Sequence, residues 1–376
     1  MKKISIACGY SLEFPAIINR IEPIAKYAID NSYCINLITS GTIKLSIKSK
    51  KINYIFCKIK NKLPINFILR GLYEIIFSYI VMRKSYSIRT DYLIISIPNI
   101  FNLIFCKKLK NGTKQILDIR DLSWEYLDER YLLNKLIKKI FRIILKFKIK
   151  IFDAISCSNN LEYKYLKKYS AGNNSKLILF SNGISLNKFN DLKYIKDNRK
   201  KQKKIIISYI GNVGLAQNLK TLIEASKNFP YLQFNIVGAG KDLKNLIKIT
   251  EGQENIKFFG RKNWEHLLKV YEETSILYAQ LSHNFLYAVP SKLYEYLASG
   301  KYIIYGGCGE ASLVMNKFEN NKVIDPDNVE ELCKAIKESL ENENYKKISN
   351  LNREKIYSAY LREKCVSELF NFIENN

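Results

Sequence analysis

The chain has 376 residues, of which 61 are Lys or Arg and 35 are Asp or Glu, so its formal charge is +26. At roughly 150 residues per domain this makes about two to three domains, each large enough to bury a core without disulfide staples. With 47% hydrophobic and 12% aromatic residues against only 16 Gly and 7 Pro, disordered, collagen-like and linker-like chains are excluded.

Short β-branched runs alternate with stretches of helical spacing, which is the pattern of a parallel sheet. The first run, residues 4–8, follows Lys2-Lys3 but stops at Gly9, Ser11 and Glu13, too soon for a signal peptide. Further strands are predicted at 35–39, 54–59, 92–97, 115–119, 154–157 and 177–180, with helices clearest over 15–29 and 131–145. The apolar stretch 63–82 carries Arg70 and Glu74 in its middle, so no membrane span is expected there. Residues 187–204 are polar, charge-rich and without apolar periodicity, and read as a linker. The pattern then restarts: strand 205–210, glycine loop 211–214, helix 218–228, strand 233–237, loop 238–240 and strand 256–259. The expected architecture is α/β, two doubly wound Rossmann-like domains facing a cleft. The N-terminal one spans 1–190 and the C-terminal one 191–376, with a helical tail over 344–376 packing back on the first.

The charge is mostly lysine, 50 Lys against 11 Arg, and Ile, Asn and Tyr are inflated with it, as in AT-rich coding. Arginine is the better bidentate reader of phosphate and base, so nucleic acid is not the expected partner and an anionic surface or small anionic ligand is. The eight cysteines are scattered singly, without a CxxC pair, and read as reduced buried thiols of a cytoplasmic protein. They and the two histidines are too dispersed for a zinc site, and neither metal nor cofactor is expected. Asp325-Pro326-Asp327 imitates a metal-binding pair but falls before a helix and reads as an N-cap turn.

Three segments carry chemistry. Gly211-Asn212-Val213-Gly214 links a strand to a helix, where backbone N–H groups can approach an anion; a tight βα turn is the plainer alternative. In Val289-Pro290-Ser291-Lys292-Leu293-Tyr294-Glu295, Pro290 opens and Gly300 closes a helix over 291–299. Ser291, Lys292 and Glu295 then share one face, either as a site or as a surface Lys–Glu pair. Asp118, Arg120 and Asp121 end a strand, as acceptor-side groups or as a structural ion pair. His266 lies in a surface helix, and His283 in the loop before Pro290. Finally Lys135, Lys138, Lys139, Arg142 and Lys146 oppose Leu133, Leu136, Ile137, Ile140 and Ile144 along one helix. That helix either docks on an anionic membrane or packs its apolar stripe on the sheet with its lysines in water.

Gly211-Asn-Val-Gly-Leu-Ala-Gln-Asn-Leu, Phe234-Asn-Ile-Val-Gly-Ala-Gly, Asn255-Ile-Lys-Phe-Phe-Gly260 and Val289-Pro-Ser-Lys-Leu-Tyr-Glu-Tyr-Leu-Ala-Ser-Gly occur in the order of the family 4 retaining glycosyltransferases. Asp118-Ile-Arg-Asp-Leu and Ser181-Asn-Gly-Ile-Ser extend the resemblance over nearly the whole chain, closest to the O-antigen and capsule N-acetyl-fucosamine transferase branch. The resemblance implies a GT-B fold and retaining, metal-independent transfer from a nucleotide-sugar, UDP-linked, to a polyprenyl-diphosphate-linked glycan at the inner face of the cytoplasmic membrane. It assigns Glu295, Lys292 and Arg261 to the reaction, with Gly211, Asn212, Val213, Gly214, Gly260, Ser291 and His283 on the donor. Gly9, Asp118, Arg120 and Asp121 fall on the acceptor side. Tyr287 stands where the family has its first glutamate, and Gln217 near a usual lysine. The rivals are a GT-B nucleotide-sugar 2-epimerase and a non-catalytic basic binding protein.

Overall fold

In the computed structural model the described residues are 1–8, 10–57, 67–97, 100–110 and 112–375. Gly9, residues 58–59 of the strand expected at 54–59 and residues 63–66 of the apolar stretch lie outside them. The chain divides into two compact units, Met1–Asn182 with Arg362–Asn376, and Gly183–Leu361.

The first unit holds a parallel sheet of β1 (Lys3–Cys8), β2 (Cys34–Ser40), β3 (Ile52–Cys57), β4 (Tyr92–Ile97), β5 (Lys114–Ile119), β6 (Ala154–Cys157) and β7 (Lys176–Leu179), in the order 3-2-1-4-5-6-7. Its central strands β1, β4, β5 and β6 are buried nearly throughout and mostly apolar, as a sheet covered by helices on each side requires. The last helix, Ser367–Glu374, buries Leu369, Phe370, Phe372 and Ile373 in this unit's core. Phe370 stacks on Tyr27 at 4.3 Å, and the Tyr92 hydroxyl donates to Ile373 O at 2.7 Å.

The second unit repeats the theme with β8 (Ile206–Ile210), β9 (Gln233–Val237), β10 (Ile256–Gly260), β11 (Ile276–Gln280), β12 (Tyr302–Gly306) and β13 (Asn321–Ile324), in the order 10-9-8-11-12-13. The last three strands were not predicted. β11 and β12 are continuous apolar runs that periodicity cannot tell from buried helix, and β13 is a four-residue edge strand beginning Asn-Lys.

The supposed linker is a second correction. Leu186–Lys193 is a helix in which Phe189 and Leu192, three residues apart, are buried against the helix Ser291–Ser299. The division at 182/183 accordingly precedes the expected 190/191, and Arg362 onward belongs to the first unit. The tail is three short helices, Asn350–Ala359, Arg362–Cys365 and Ser367–Glu374, not one. All eight cysteines are free thiols. Among the described residues no helix is long and apolar enough to cross a membrane.

Candidate active site

In a doubly wound sheet, ligands gather beyond the carboxyl ends of the strands where the order reverses, here between β8 and β11. β8 ends at Ile210 and feeds the glycine loop. Two of the N–H groups expected to face a phosphate are used within the fold instead. Gly211 donates to Val237 O at 2.9 Å and Val213 to Ala239 O at 3.0 Å. Gly214 N–H is taken by Gln217 Oε1 at 3.2 Å, a side-chain acceptor that also receives Asn212 Nδ2. The N–H groups of Asn212, Leu215 and Ala216 find no partner among the described residues, so the loop's free donors sit at its tip and just after it. Successive unpaired donors of this kind make an anion seat.

The second glycine loop serves the first. A Cβ on Gly238 would lie 1.7 Å from Gly211 O, and one on Gly240 would lie 1.9 Å from Val213 O. Gly238-Ala239-Gly240 is therefore a backbone support that any side chain would push away. Beneath it, Tyr209 donates its hydroxyl to Asn212 O at 2.5 Å, holding the tip from the sheet side. At the end of β11 the Gln280 amide nitrogen lies within 3.2 Å of Gln217 O, Asn218 O and Asp327 Oδ1, and Ser282 N–H donates to Ala216 O. Asp327 thus belongs to a structural turn, whose helix cap is Asn328. Among the described residues no cluster of His, Cys, Asp or Glu could hold a metal ion.

The helix Ser291–Ser299 begins after Pro290 and ends at Gly300 in the left-handed region, as its punctuation predicts. Its Lys–Glu pair is not on the surface. Glu295 is 3% exposed, with Oε2 2.7 Å from Lys292 Nζ and Oε1 3.0 Å from Lys188 Nζ. Burial pushes the Glu295 carboxyl up, but Lys292 and Lys188 outweigh it and hold the group below the ordinary glutamate range. The Lys188 ammonium in turn sits 4.5 Å over the Trp264 ring. Sequence reading missed Lys188 because it stands in the charged run taken for a linker; its signal is the Leu186–Lys193 helix itself. Tyr296 fixes this helix to the loop: its hydroxyl accepts Ile210 N–H at 2.8 Å, one residue before Gly211.

The other donor-side residues are more spread out. Gly260 ends β10, which β9 separates from β8, and Arg261 follows it, exposed and with no partner among the described residues. Ser291 is exposed at the helix start. His283 is exposed with Nδ1 4.0 Å from Cys308 Sγ, beside a cavity of about 480 Å³ lined by Cys308, Gly309, Ser312 and Asp325. His266 is exposed in the helix Trp264–Glu273.

In the first unit Asp118 turns inward. It is fully buried, 2.7 Å from Arg20 Nη2, and also accepts the Ser156 and Ser96 hydroxyls. Its carboxylate is closed off from solvent and engaged as an ion pair, the second of the two readings above. Arg120 is half-buried and donates to Ile97 O and Ala16 O. Asp121 accepts the Tyr126 hydroxyl, and burial pushes its carboxyl up to about 6. Glu162, which sequence reading also passed over, is buried, with Oε2 accepting the N–H and hydroxyl of Ser158 at 2.8 Å and Oε1 unpartnered. Burial, then the Asp121 charge, push it up to about 8.

Two such parallel-sheet halves are the fold of the GT-B glycosyltransferases. Over 100% of this chain and 99% of its own, sucrose-phosphate synthase from Thermosynechococcus elongatus superposes with a TM-score of 0.79 at 13% identity. Anabaena Alr3699/HepE in complex with UDP and glucose covers 100% of both chains with a TM-score of 0.69 at 12% identity. WaaG, a glycosyltransferase involved in lipopolysaccharide biosynthesis, covers 97% of this chain and 99% of its own with a TM-score of 0.67 at 12% identity. Residues 190–356, within the second unit, match the family glycosyl transferases group 1. No curated protein matches the chain in sequence.

Proposed function

We propose that the protein moves a sugar from a nucleotide-sugar donor, UDP-linked, to a polyprenyl-diphosphate-linked saccharide with retention of configuration. The product serves O-antigen, capsule or other surface polysaccharide assembly, and the work is done in the cytoplasm at the inner membrane face. One observation carries the reading: within the segment that matches group 1, a buried glutamate is kept ionised between two lysines on a helix tied to the glycine loop. An ionised Glu295 can accept the ribose hydroxyls of a donor. Lys188 and Lys292, 30% and 31% exposed, are the partners able to move aside. Breaking the anomeric C–O bond builds charge on the leaving phosphate, which the loop-tip N–H groups, Lys292 and Arg261 offset; such preorganised donors supply several kcal/mol. The UDP bound to Alr3699/HepE supports the nucleotide assigned, and the lipopolysaccharide role of WaaG supports the acceptor class.

Thermal shift against nucleoside diphosphates tests the donor. UDP at about 100 times its Kd stabilises by roughly 2.7 kcal/mol, on the order of 5–10 °C for a domain this size. Mass spectrometry of a polyprenyl-diphosphate saccharide incubated with UDP-sugars tests the transfer. If no nucleoside diphosphate raises Tm and no sugar is added, the reading is rejected.

The glycine support gives a second expectation. Gly240→Ala forces the Val213 carbonyl aside and tilts the loop, so UDP affinity by calorimetry falls about tenfold or more, roughly 1.4 kcal/mol. Gly252→Ala, where a Cβ meets open space, is the control, although its φ of +82° costs some stability. Equal UDP affinity in Gly240→Ala would take the diphosphate off the loop.

A further inference from the structure

The helix Leu132–Lys148 lies the opposite way from an ordinary sheet-packing helix. Leu132 is 84% exposed, Phe147 66%, Leu133 61% and Leu136 55%, with Ile140 and Ile143 exposed beside them. Positively charged side chains are on the inner face instead. Lys138 is buried 2.7 Å from Glu129, and Arg142 pairs with the buried Glu125 at 2.5 Å. Both glutamates stand just before the helix, Glu125 in the turn Ser123–Tyr126, and Glu125 also accepts the Tyr165 hydroxyl. The ion pairs clamp the helix so that its apolar ridge faces water. Of the two arrangements that the spacing allowed, the stripe is therefore not packed on the sheet; Lys138 is withdrawn from any basic surface, and Arg142, though 42% exposed, is engaged by Glu125.

The ridge continues onto its neighbours. Phe101 meets Phe141 edge-on, Ile104 is exposed on the short helix Asn102–Phe105, and Phe105 meets Tyr79 of the helix Phe67–Tyr86. Along that helix Leu69, Leu72, Ile76 and Tyr79, stepping by three and four, are exposed as well. An exposed apolar tract of this extent marks a surface meant to be covered. Its border says by what. Lys135, Lys139, Lys146 and Lys150 are exposed alongside the ridge, and none forms an ion pair among the described residues. Apolar residues flanked by unpaired lysines complement acyl chains beneath anionic headgroups, whereas a second copy would set like charges against each other.

The geometry points to an interfacial anchor: the ridge of Leu132–Lys148, extended by Ile104 and Tyr79, enters the acyl boundary of an anionic bilayer while the four flanking lysines engage headgroup phosphates. Insertion, not the lysine stripe alone, supplies most of the hold. The inference rests on the lipid-linked acceptor only for its purpose. Binding is read with neither donor nor acceptor present, so failed docking and failed transfer are separate results.

The test is flotation of the full chain with vesicles of phosphatidylcholine, with and without phosphatidylglycerol. The wild type floats with the anionic vesicles. Leu133→Ser/Leu136→Ser/Ile140→Ser/Phe147→Ser, all exposed positions, keeps Tm and loses about tenfold or more of the partitioning, even at low salt. Lys135→Gln/Lys139→Gln/Lys146→Gln/Lys150→Gln loses the preference for anionic lipid but retains residual binding. Ile140→Trp shows a blue-shifted emission quenched by brominated acyl chains. Wild type that stays unbound, a serine variant that floats as well as wild type, or a wild-type dimer made monomeric by the serine variant would each overturn the anchor.

Discussion

Replacing Glu295 by Gln lowers kcat/KM for sugar transfer by roughly 100-fold, about 2.7 kcal/mol, with most of the loss in KM for the donor. Hydrogen bonds to a charged acceptor contribute roughly 1.5–3 kcal/mol each, and the neutral amide accepts the same hydroxyls more weakly. The structural cost is smaller. Removing one partner of a fully buried ion pair costs about 3–5 kcal/mol, but Lys188 and Lys292 are about a third exposed and rehydrate, leaving on the order of 1–2 kcal/mol. Tm therefore falls only a few degrees, which circular dichroism follows. Because the two lysines depress the Glu295 carboxyl, its contribution to stability is complete above the unfolded value of about 4.3 and is lost as pH falls through the folded one. Transfer should accordingly show no Glu295 limb near neutrality. A variant with lower Tm but unchanged donor KM would make Glu295 a clamp for two lysines and nothing more.

How much of this was legible depends on whether the signal was local. Pro290 and Gly300 delimit the Ser291–Ser299 helix within ten residues of each other, and the glycine runs mark the loops after β8 and β9. Each is a φ or donor requirement written at the position it governs. What failed depended on partners far along the chain. Asp118 could be read either as an acceptor-side acid or as half of an ion pair because its counter-charge, Arg20, lies 98 residues away. Lys188 reaches Glu295 across 107 residues, from a run whose charge density concealed two buried apolar positions.

The helix at 132–148 shows a different limit. Its two faces were legible from spacing, but not which of them faces inward. That choice is made by Glu125 and Glu129, which draw Lys138 and Arg142 in and leave only Phe141 and Leu145 as its buried apolar contacts. The free donors of the glycine loop were similarly out of reach. Sequence marks where backbone can approach an anion, whereas Val237 O and Ala239 O decide which N–H groups remain to do so.

Arg20→Leu lowers the unfolding free energy of the first unit by about 3–5 kcal/mol, on the order of 10 °C in Tm, by stranding the fully buried Asp118 carboxylate. The arginine also donates to Phe180 O and stacks on the Phe180 ring at 3.4 Å, so charge and packing must be separated. A double replacement, Arg20→Leu with Asp118→Leu, removes both charges and should recover part of the loss; the recovery measures their coupling. The pH profile separates them further. In the wild type burial raises the Asp118 carboxyl, but Arg20, the Ser156 hydroxyl and Arg120 outweigh it and hold it low, so it stays ionised and adds no slope from pH 5 to 8. Asp121 and Glu162, raised to about 6 and about 8, do add one: their stabilisation is present below the unfolded values and is lost as pH rises through the folded ones. In Arg20→Leu only the Ser156 hydroxyl and the Arg120 charge still oppose burial at Asp118 and its carboxyl rises, so the Tm gap between variant and wild type should widen from pH 5 to 8. A gap that stays constant over that range would mean that Arg20 acts through its stack on Phe180 and not through its charge.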